Sequence, residues 1–333
     1  MKENNKNIVN NIEEVFNNFS IKKQIAVAVS GGCDSLALTI ALNDYCLSNK
    51  IKIVALTVNH NLRKNSLTEA NQLNKLLSKY NIQHLIFTID KSKVPLKNIE
   101  SNLREIRYQI LSDYCKNNNI EYLFVGHHLG DIAENFMIRL LRGSGLDGLA
   151  PIAQCSLLNN IKLIRPFLNL SKNDLKNYLL QQNIEWFEDE TNDDEKFLRN
   201  KIRKFLASFA ANDFNGDIIA KRIASASHEI ANARDLFDEI MLEHEKAIII
   251  YQDSKNVILQ RDKLVKINKS MALKILAKIL MNIGAKKYKP RKEKLIRFYE
   301  YLSANGVLKK REFYGCVCYQ NELNQAKITA KID

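Results

Sequence analysis

Glycine and proline are scarce in this chain, 11 and 4 among 333 residues, and tryptophan occurs once. That excludes collagen-like, proline-rich and glycine/serine-linker classes, and it leaves few positions where the backbone turns sharply at no steric cost. No apolar run approaches the length of a membrane span. The first residues, Met-Lys-Glu-Asn-Asn-Lys, lead into an amphipathic stretch rather than a signal peptide, so the expectation is a cytoplasmic protein with no membrane partner. Cys-x-x-Cys is also missing: the cysteines at 33, 46, 115, 155, 316 and 318 are scattered. This argues against a zinc ribbon or an iron–sulfur site and for reduced structural thiols. Neither a Walker loop nor Gly-x-Gly-x-x-Gly occurs.

What the chain has is length, positive charge and an alternating pattern. Its 333 residues suffice for two domains. A formal charge of +13 and a pI near 9.3 suit a polyanionic partner, although a Lys-, Asn- and Ile-rich composition also follows from AT-rich coding sequence. Up to about residue 165, β-type runs (24–29, 51–58, 83–89, 121–126 and 161–165) alternate with helical patterns. This predicts a doubly wound α/β fold with a largely parallel sheet, whose ligands sit at the carboxyl ends of the strands. Ser171 with Asp174 three residues on reads as a capped helix start running through Leu180. Beyond Asn215 the pattern turns helical, with strand-like pieces around 306–319. Two domains are expected, 1–215 and a mainly helical 216–333.

Residues 30–35, Ser-Gly-Gly-Cys-Asp-Ser, lie between the apolar run Gln24–Val29 and an apolar helical stretch. Strand, glycine turn and helix start together converge several backbone N–H groups on one point, which suits pyrophosphate. Asn59-His60-Asn61-Leu62-Arg63 follows the second run. Gly126-His127-His128-Leu129-Gly130-Asp131-Ile132-Ala133-Glu134 follows the fourth. On a helix Asp131 and Glu134 share a face, fit to hold Mg²⁺ or an ammonium group, or simply to complement the helix N-terminus. His127 and His128 lack a third ligand spaced for zinc. Arg104 and Arg107 share a helical face, in an arrangement that suits phosphate or a solvated surface.

In order and spacing, these segments resemble the tRNA(Ile)-lysidine synthase family of the PP-loop (N-type ATP pyrophosphatase) superfamily. The likeness extends to Ile164-Arg165-Pro166-Phe167, to Glu188-Asp189-Glu190-Thr191-Asn192 and to Arg199-Asn200-Lys201-Ile202-Arg203. The resemblance implies an adenine-nucleotide α-hydrolase-like fold. It also implies a ligase that adenylates C2 of the wobble cytidine of a CAU-anticodon tRNA(Ile), releases pyrophosphate, and lets free L-lysine displace AMP, switching decoding from AUG to AUA.

By the same resemblance, Ser30, Gly31, Gly32, Cys33, Asp34, Ser35, His60, Arg63 and His127 bind ATP, with Asp34 holding Mg²⁺. Asp34, Arg104 and Arg107 serve catalysis with Asp131 and Glu134, which take the lysine ammonium, while Arg165, Arg199 and Arg203 contact tRNA. Gly130 stands where many relatives carry Asp or Asn, and the third domain of longer members is expected to be absent. A homodimer is an allowed assembly. Lys286-Lys287-Tyr288-Lys289-Pro290-Arg291-Lys292 interleaves basic and aromatic residues that suit a folded RNA or a solvated loop. Two rival readings are a tRNA 2-thiolating PP-loop enzyme, for which Cys316-Val317-Cys318 is the only close cysteine pair, and a non-catalytic tRNA-binding protein.

Overall fold

The computed structural model describes residues 3–61, 66–90, 99–188, 198–210, 216–286, 288–321, 323 and 325–331. Contacts divide the chain into two units, Met1–Ala231 and Asn232–Asp333.

In the first unit the chain runs α1 (Glu3–Asn18), β1 (Ile25–Ala28), α2 (Cys33–Ser48), β2 (Ile53–Asn59), α3 (Ser66–Lys79), β3 (Gln83–Thr88), α4 (Ile99–Asn117) and β4 (Tyr122–Phe124). It continues through α5 (Leu129–Leu141), α6 (Leu146–Leu149), β5 (Cys155–Leu158), β6 (Ile161–Ile164), α7 (Lys172–Gln181), α8 (Leu198–Ala210) and the start of α9 (Gly216–Ile248). The sheet has the order β3-β2-β1-β4-β6-β5. All neighbours pair in parallel except the antiparallel edge β5–β6.

Strand β1 reads Ile-Ala-Val-Ala because helices cover both of its faces. On one side α1, α2, α3 and α7 supply Val15, Leu36, Leu73 and Leu179 to a continuous core. On the other, Leu111 and Cys115 of α4 pack on Ala26, Val54 and Leu123. The order of strands reverses between β1 and β4, so their carboxyl ends open the crevice where ligands of such sheets bind.

The Ser171 cap forms as expected: its Oγ accepts from Asp174 N at 3.2 Å, and Asp174 Oδ2 accepts from Ser171 N at 2.9 Å. Strand β5 was not anticipated from the sequence.

The second unit holds the rest of α9, then β7 (Ile249–Gln252), β8 (Asn256–Leu259), α10 (Arg261–Lys266), α11 (Lys269–Ile283), α12 (Lys292–Ser303), β9 (Arg311–Phe313), β10 (Cys316–Gln320) and β11 (Ala326–Ala330). Its strands form an antiparallel sheet, β7-β8-β11-β10-β9, so the region expected to be mainly helical carries, beside its helices, a five-stranded sheet. Met271, Ile275, Leu276, Phe298, Cys318 and Ile328 lie in its core. The contact division falls within α9, farther along than residue 215. The early turns of that helix pack Ala220 and Ala224 against Leu129 and Ile132, and Ser227 Oγ donates to Leu149 O at 2.8 Å.

Two glycines fix the approach of backbone segments at the crevice. Gly31 has φ +87°, and a Cβ there would lie 2.6 Å from Phe187 Cδ2. A Cβ on Gly126, just past β4, would lie 2.8 Å from Asp34 O. Gly31→Ala is therefore expected to destabilise the protein by about 1–3 kcal/mol through backbone strain and overlap. Adding Phe187→Ala should recover the overlap but not the strain, a partition that urea unfolding of the two variants measures.

Candidate functional site

Strand β1 leaves the sheet at Ala28 and the chain turns through Ser30–Gly32 into α2, so the loop sits at the amino end of a buried helix. Ser35 Oγ braces the turn, donating to Gly32 O at 3.1 Å and accepting from Ser30 N at 3.1 Å. Phe187 N donates to Gly31 O at 3.0 Å, which lays the Ile184–Glu188 segment across the loop. Nothing in the sequence pattern marked Phe187 for this role.

Cys33 is part of the core, and burial, with Asp34 beside it, pushes its thiol up to about 12. It therefore serves the loop through its backbone alone. Asp34 extends from the same turn. Its Oδ1 is buried with no hydrogen-bond partner, and its Oδ2 stands 3.6 Å from His128 Nε2.

His128 caps α5. Its Nδ1 accepts from Gly130 N at 3.0 Å, which puts the ring proton of the neutral form on Nε2, toward Asp34 and toward Asp131 Oδ2 at 3.9 Å. Asp131 Oδ2 in turn accepts from His128 N at 2.9 Å, completing a capping box in which histidine takes the place usually held by serine or threonine. A Cβ on Gly130 would lie 2.7 Å from the His128 ring, so this position serves the cap and offers no ligand.

The carboxylates and arginines that the sequence divided between amine and RNA form one network. Arg199 Nε donates to Glu134 Oε2 at 2.6 Å and its Nη2 to Asp131 Oδ1. Arg203 Nε donates to Glu134 Oε1 at 2.8 Å. Asp131 and Glu134 are 9% and 4% exposed. Burial raises the Asp131 pKa, but His128, Arg199 and His127 outweigh it and hold the carboxyl below its usual range.

Arg165 sits elsewhere than expected. Only 7% exposed, it donates through Nε to His127 Nδ1 at 3.2 Å, through Nη1 to Ala153 O at 2.8 Å, and through both terminal nitrogens to Ser156 Oγ at 3.0 Å. Its fork thus ties the edge strand β5 and the residues just before it to His127 at the crevice. Arg104 and Arg107 of α4 lie 5.2 and 5.1 Å from the Tyr108 ring centre. Arg107 also depresses the pKa of His60, after burial as the larger cause.

At the end of β2, His60 Nδ1 and Asn59 Nδ2 are buried and unpartnered, as Asp34 Oδ1 is. Such orphans in one crevice are what a polar ligand would satisfy. Arg63, Lys287 and Asp189–Asn192 lie outside the described residues. Tyr288 is 71% exposed, and Lys289 and Arg291 are exposed. Among the described residues no group of three His, Cys, Asp or Glu side chains could hold a metal, and no helix is long and apolar enough to cross a membrane.

Comparison with known proteins places the chain in a family. The profile of the PP-loop domain matches residues 4–209, so the chain is a PP-loop protein. It is 34% identical over 283 residues to a tRNA(Ile)-lysidine synthase of Orientia tsutsugamushi (strain Boryong), covering 84% of this chain and 63% of that one. To the tRNA(Ile)-lysidine synthase of Wolbachia pipientis wMel it is 35% identical, covering 88% and 66%. To that of Wolbachia sp. subsp. Brugia malayi (strain TRS) it is 30% identical, covering 91% and 69%.

The chain belongs to the tRNA(Ile)-lysidine synthase family. It spans 63% and 66% of the length of the first two relatives. Among solved structures, the U34-tRNA thiolase NcsA of Methanococcus maripaludis with its [4Fe-4S] cluster matches with a TM-score of 0.56 at 18% identity, covering 68% of this chain and 78% of that one. That likeness is one of fold.

His127 gives the site a pH signature. Burial lowers its pKa from 6.5 to about 4; Asp131 opposes this, and Arg165, Arg104 and Arg199 add to it. The unfolded chain takes up this proton near pH 6.5, whereas the folded protein refuses it until about pH 4. Stability should therefore fall as pH drops through that window, and no further below it on this account. Urea midpoints measured from pH 7 to 4 should show this fall in the parent and a shallower one in His127→Gln.

Proposed function

We propose that the chain ligates L-lysine to C2 of the wobble cytidine of a CAU-anticodon tRNA(Ile), driven by cleavage of ATP between its α and β phosphates. The observation that carries this reading is the meeting of three carboxylates at one switch point: Asp34 on the glycine turn, and Asp131 and Glu134 on α5, with His128 3.6 Å from the first and 3.9 Å from the second. Likeness to relatives named for this activity supports it.

In the first step the C2 oxygen attacks the α-phosphorus and pyrophosphate departs. Negative charge grows on phosphate oxygens, so the fixed N–H groups of Gly31–Ser35 and the guanidinium groups of Arg104 and Arg107 supply the stabilisation without having to reorganise. Asp34, with its buried unpartnered oxygen, fits a Mg²⁺ ion shared with phosphates, since this ion is commonly held by one or two carboxylates plus substrate oxygens. The ion would screen phosphate charge.

In the second step the lysine nitrogen attacks C2 and AMP leaves with the oxygen. Asp131 and Glu134 hold the ammonium, sharing their lone pairs with Arg199 and Arg203. A carboxylate kept ionised by arginine is a weak base, and an ammonium near pKa ~10.4 lies about six units above a carboxylate. The proton therefore leaves only as that gap shrinks, through desolvation of the amine or as AMP departs and its phosphate oxygen becomes more basic, while Asp131 and Glu134 orient the nitrogen. The exposed Tyr288, Lys289 and Arg291 of the second unit suit contacts to tRNA phosphates and bases.

The thiolating alternative finds no support in the cysteines. Burial raises every one of the six thiol pKa values, Cys316 to about 11 and Cys318 to about 12. Such thiols are structural, not sulfur carriers.

Incubation of the protein with ATP, lysine and a CAU-anticodon tRNA should add one lysine, less one water, to a single cytidine, with AMP and pyrophosphate as co-products. Release of ADP and phosphate would sink the reading. Asp34→Ala should lower adenylation roughly hundredfold or more while leaving thermal unfolding nearly unchanged.

The two steps separate at Glu134. Glu134→Gln is expected to slow lysine transfer from preformed adenylate about tenfold to hundredfold, and adenylate formation far less. Quenched single-turnover assays follow both steps, and an unchanged transfer rate would remove Glu134 from ammonium binding.

A further inference from the structure

Asn59, the last residue of β2, is 5% exposed. Its Oδ1 accepts from Asn61 N at 2.9 Å, and this backbone donor settles which end of the amide is which. The other end is therefore the NH₂ group, and it is buried with no hydrogen-bond partner. A buried donor left unmade is costly, so its persistence calls for an acceptor supplied from outside the chain.

Register and face say where that acceptor lies. The last residue of β1, Ala28, pairs with Leu56, while β2 runs on through Asn59. At ~3.3 Å per residue the overhang carries Asn59 about 10 Å past the end of β1, whose exit is the glycine turn. Side chains two apart share a face, and Thr57 on that face already reaches the turn's approach, donating to Val29 O at 2.7 Å. Asn59 thus stands farther along the same face, where a nucleoside whose phosphates lie in the turn would extend. Beside it, His60 Nδ1 is also buried and unpartnered.

We propose that Asn59 reads the base of the bound nucleotide, its amide donating to a ring nitrogen that lies next to an exocyclic amino group. Adenine presents this edge, with N1 as the acceptor, whereas guanine presents an N–H at the same place. The assignment rests on the ATP-dependent reading above. A cytosine presents the same chemistry at N3 and N4, so the RNA substrate is the second source of such an edge. Discrimination follows from the donor: it pairs with adenine or cytosine and meets another donor in guanine or uracil.

The test uses the full-length protein and compares Asn59→Asp with the parent. Aspartate keeps the oxygen that accepts from Asn61 and replaces the donor by an acceptor. Affinities for ATP and GTP are measured by calorimetry without RNA, and affinities for CAU- and UAU-anticodon forms of one tRNA are measured without nucleotide. The parent should prefer ATP. In Asn59→Asp, ATP should weaken roughly tenfold to hundredfold and GTP should hold or tighten, which shifts the ratio in a way that mere loosening of the fold would not. Asn59→Ser, which retains an acceptor for Asn61 and lacks the amide, should bring the ratio toward one and serves if the aspartate variant does not fold.

A shift confined to the cytidine-against-uridine comparison would assign the edge to the RNA. Equal weakening of ATP and GTP, or no change in either pair, would overturn the assignment. A parent protein that binds no ATP at all would instead remove the reading on which it rests, and the assignment to adenine with it.

Discussion

Two arginines of α8 and two carboxylates of α5 form the interaction on which the site depends. Asp131 and Glu134 are buried, and without Arg199 and Arg203 their charges would be expensive to keep there. Removing one member of such a pair commonly costs about 3–5 kcal/mol, although the intact network adds little over a well-packed apolar cluster. Its benefit is positional. The network fixes the first turn of α5, whose cap His128 faces Asp34 across the crevice, so one set of charges aligns Asp131, Glu134 and His128.

Much of the first unit was legible in the sequence because its signals are local. Strand β1 announces itself by an unbroken apolar run, the glycine turn by adjacent glycines, and α7 by Ser171 with Asp174 three residues on. Partnerships over long separations left no such trace. Arg199 and Glu134 lie 65 residues apart, and nothing in either segment distinguishes an arginine that pairs with a carboxylate from one that waits for phosphate. The partners of Arg165 were hidden for the same reason: besides His127 Nδ1 they are Ala153 O, just before β5, and Ser156 Oγ, on that short, half-exposed edge strand with no clear alternation. His128 was visible as a motif residue but not as a helix cap, a role in which histidine is uncommon.

In the second unit the helical reading succeeded for α11 and α12, where apolar residues recur at helical spacing over several turns. The hairpin β7–β8 escaped because it follows α9 with no break in composition and its strands have four residues each. Arg261 shows what holds the far side of that unit together. Its guanidinium donates to Leu302 O, Ala304 O and Gly306 O, so carbonyls in the last turn of α12 and just beyond it are satisfied by one side chain rather than by a glycine cap.

The hydrogen bond from Phe187 N to Gly31 O fixes more than the segment that donates it. A peptide unit is planar and trans, so committing the Gly31 carbonyl to Phe187 turns the Gly32 N–H, on the opposite edge of that plane, the opposite way. The Gly32 carbonyl is likewise taken, by Ser35 Oγ and by Leu36 N. With its acceptors engaged on one side, the turn has a permanent electrical polarity that no side chain has to create, and no peptide has to flip before an anion can settle there.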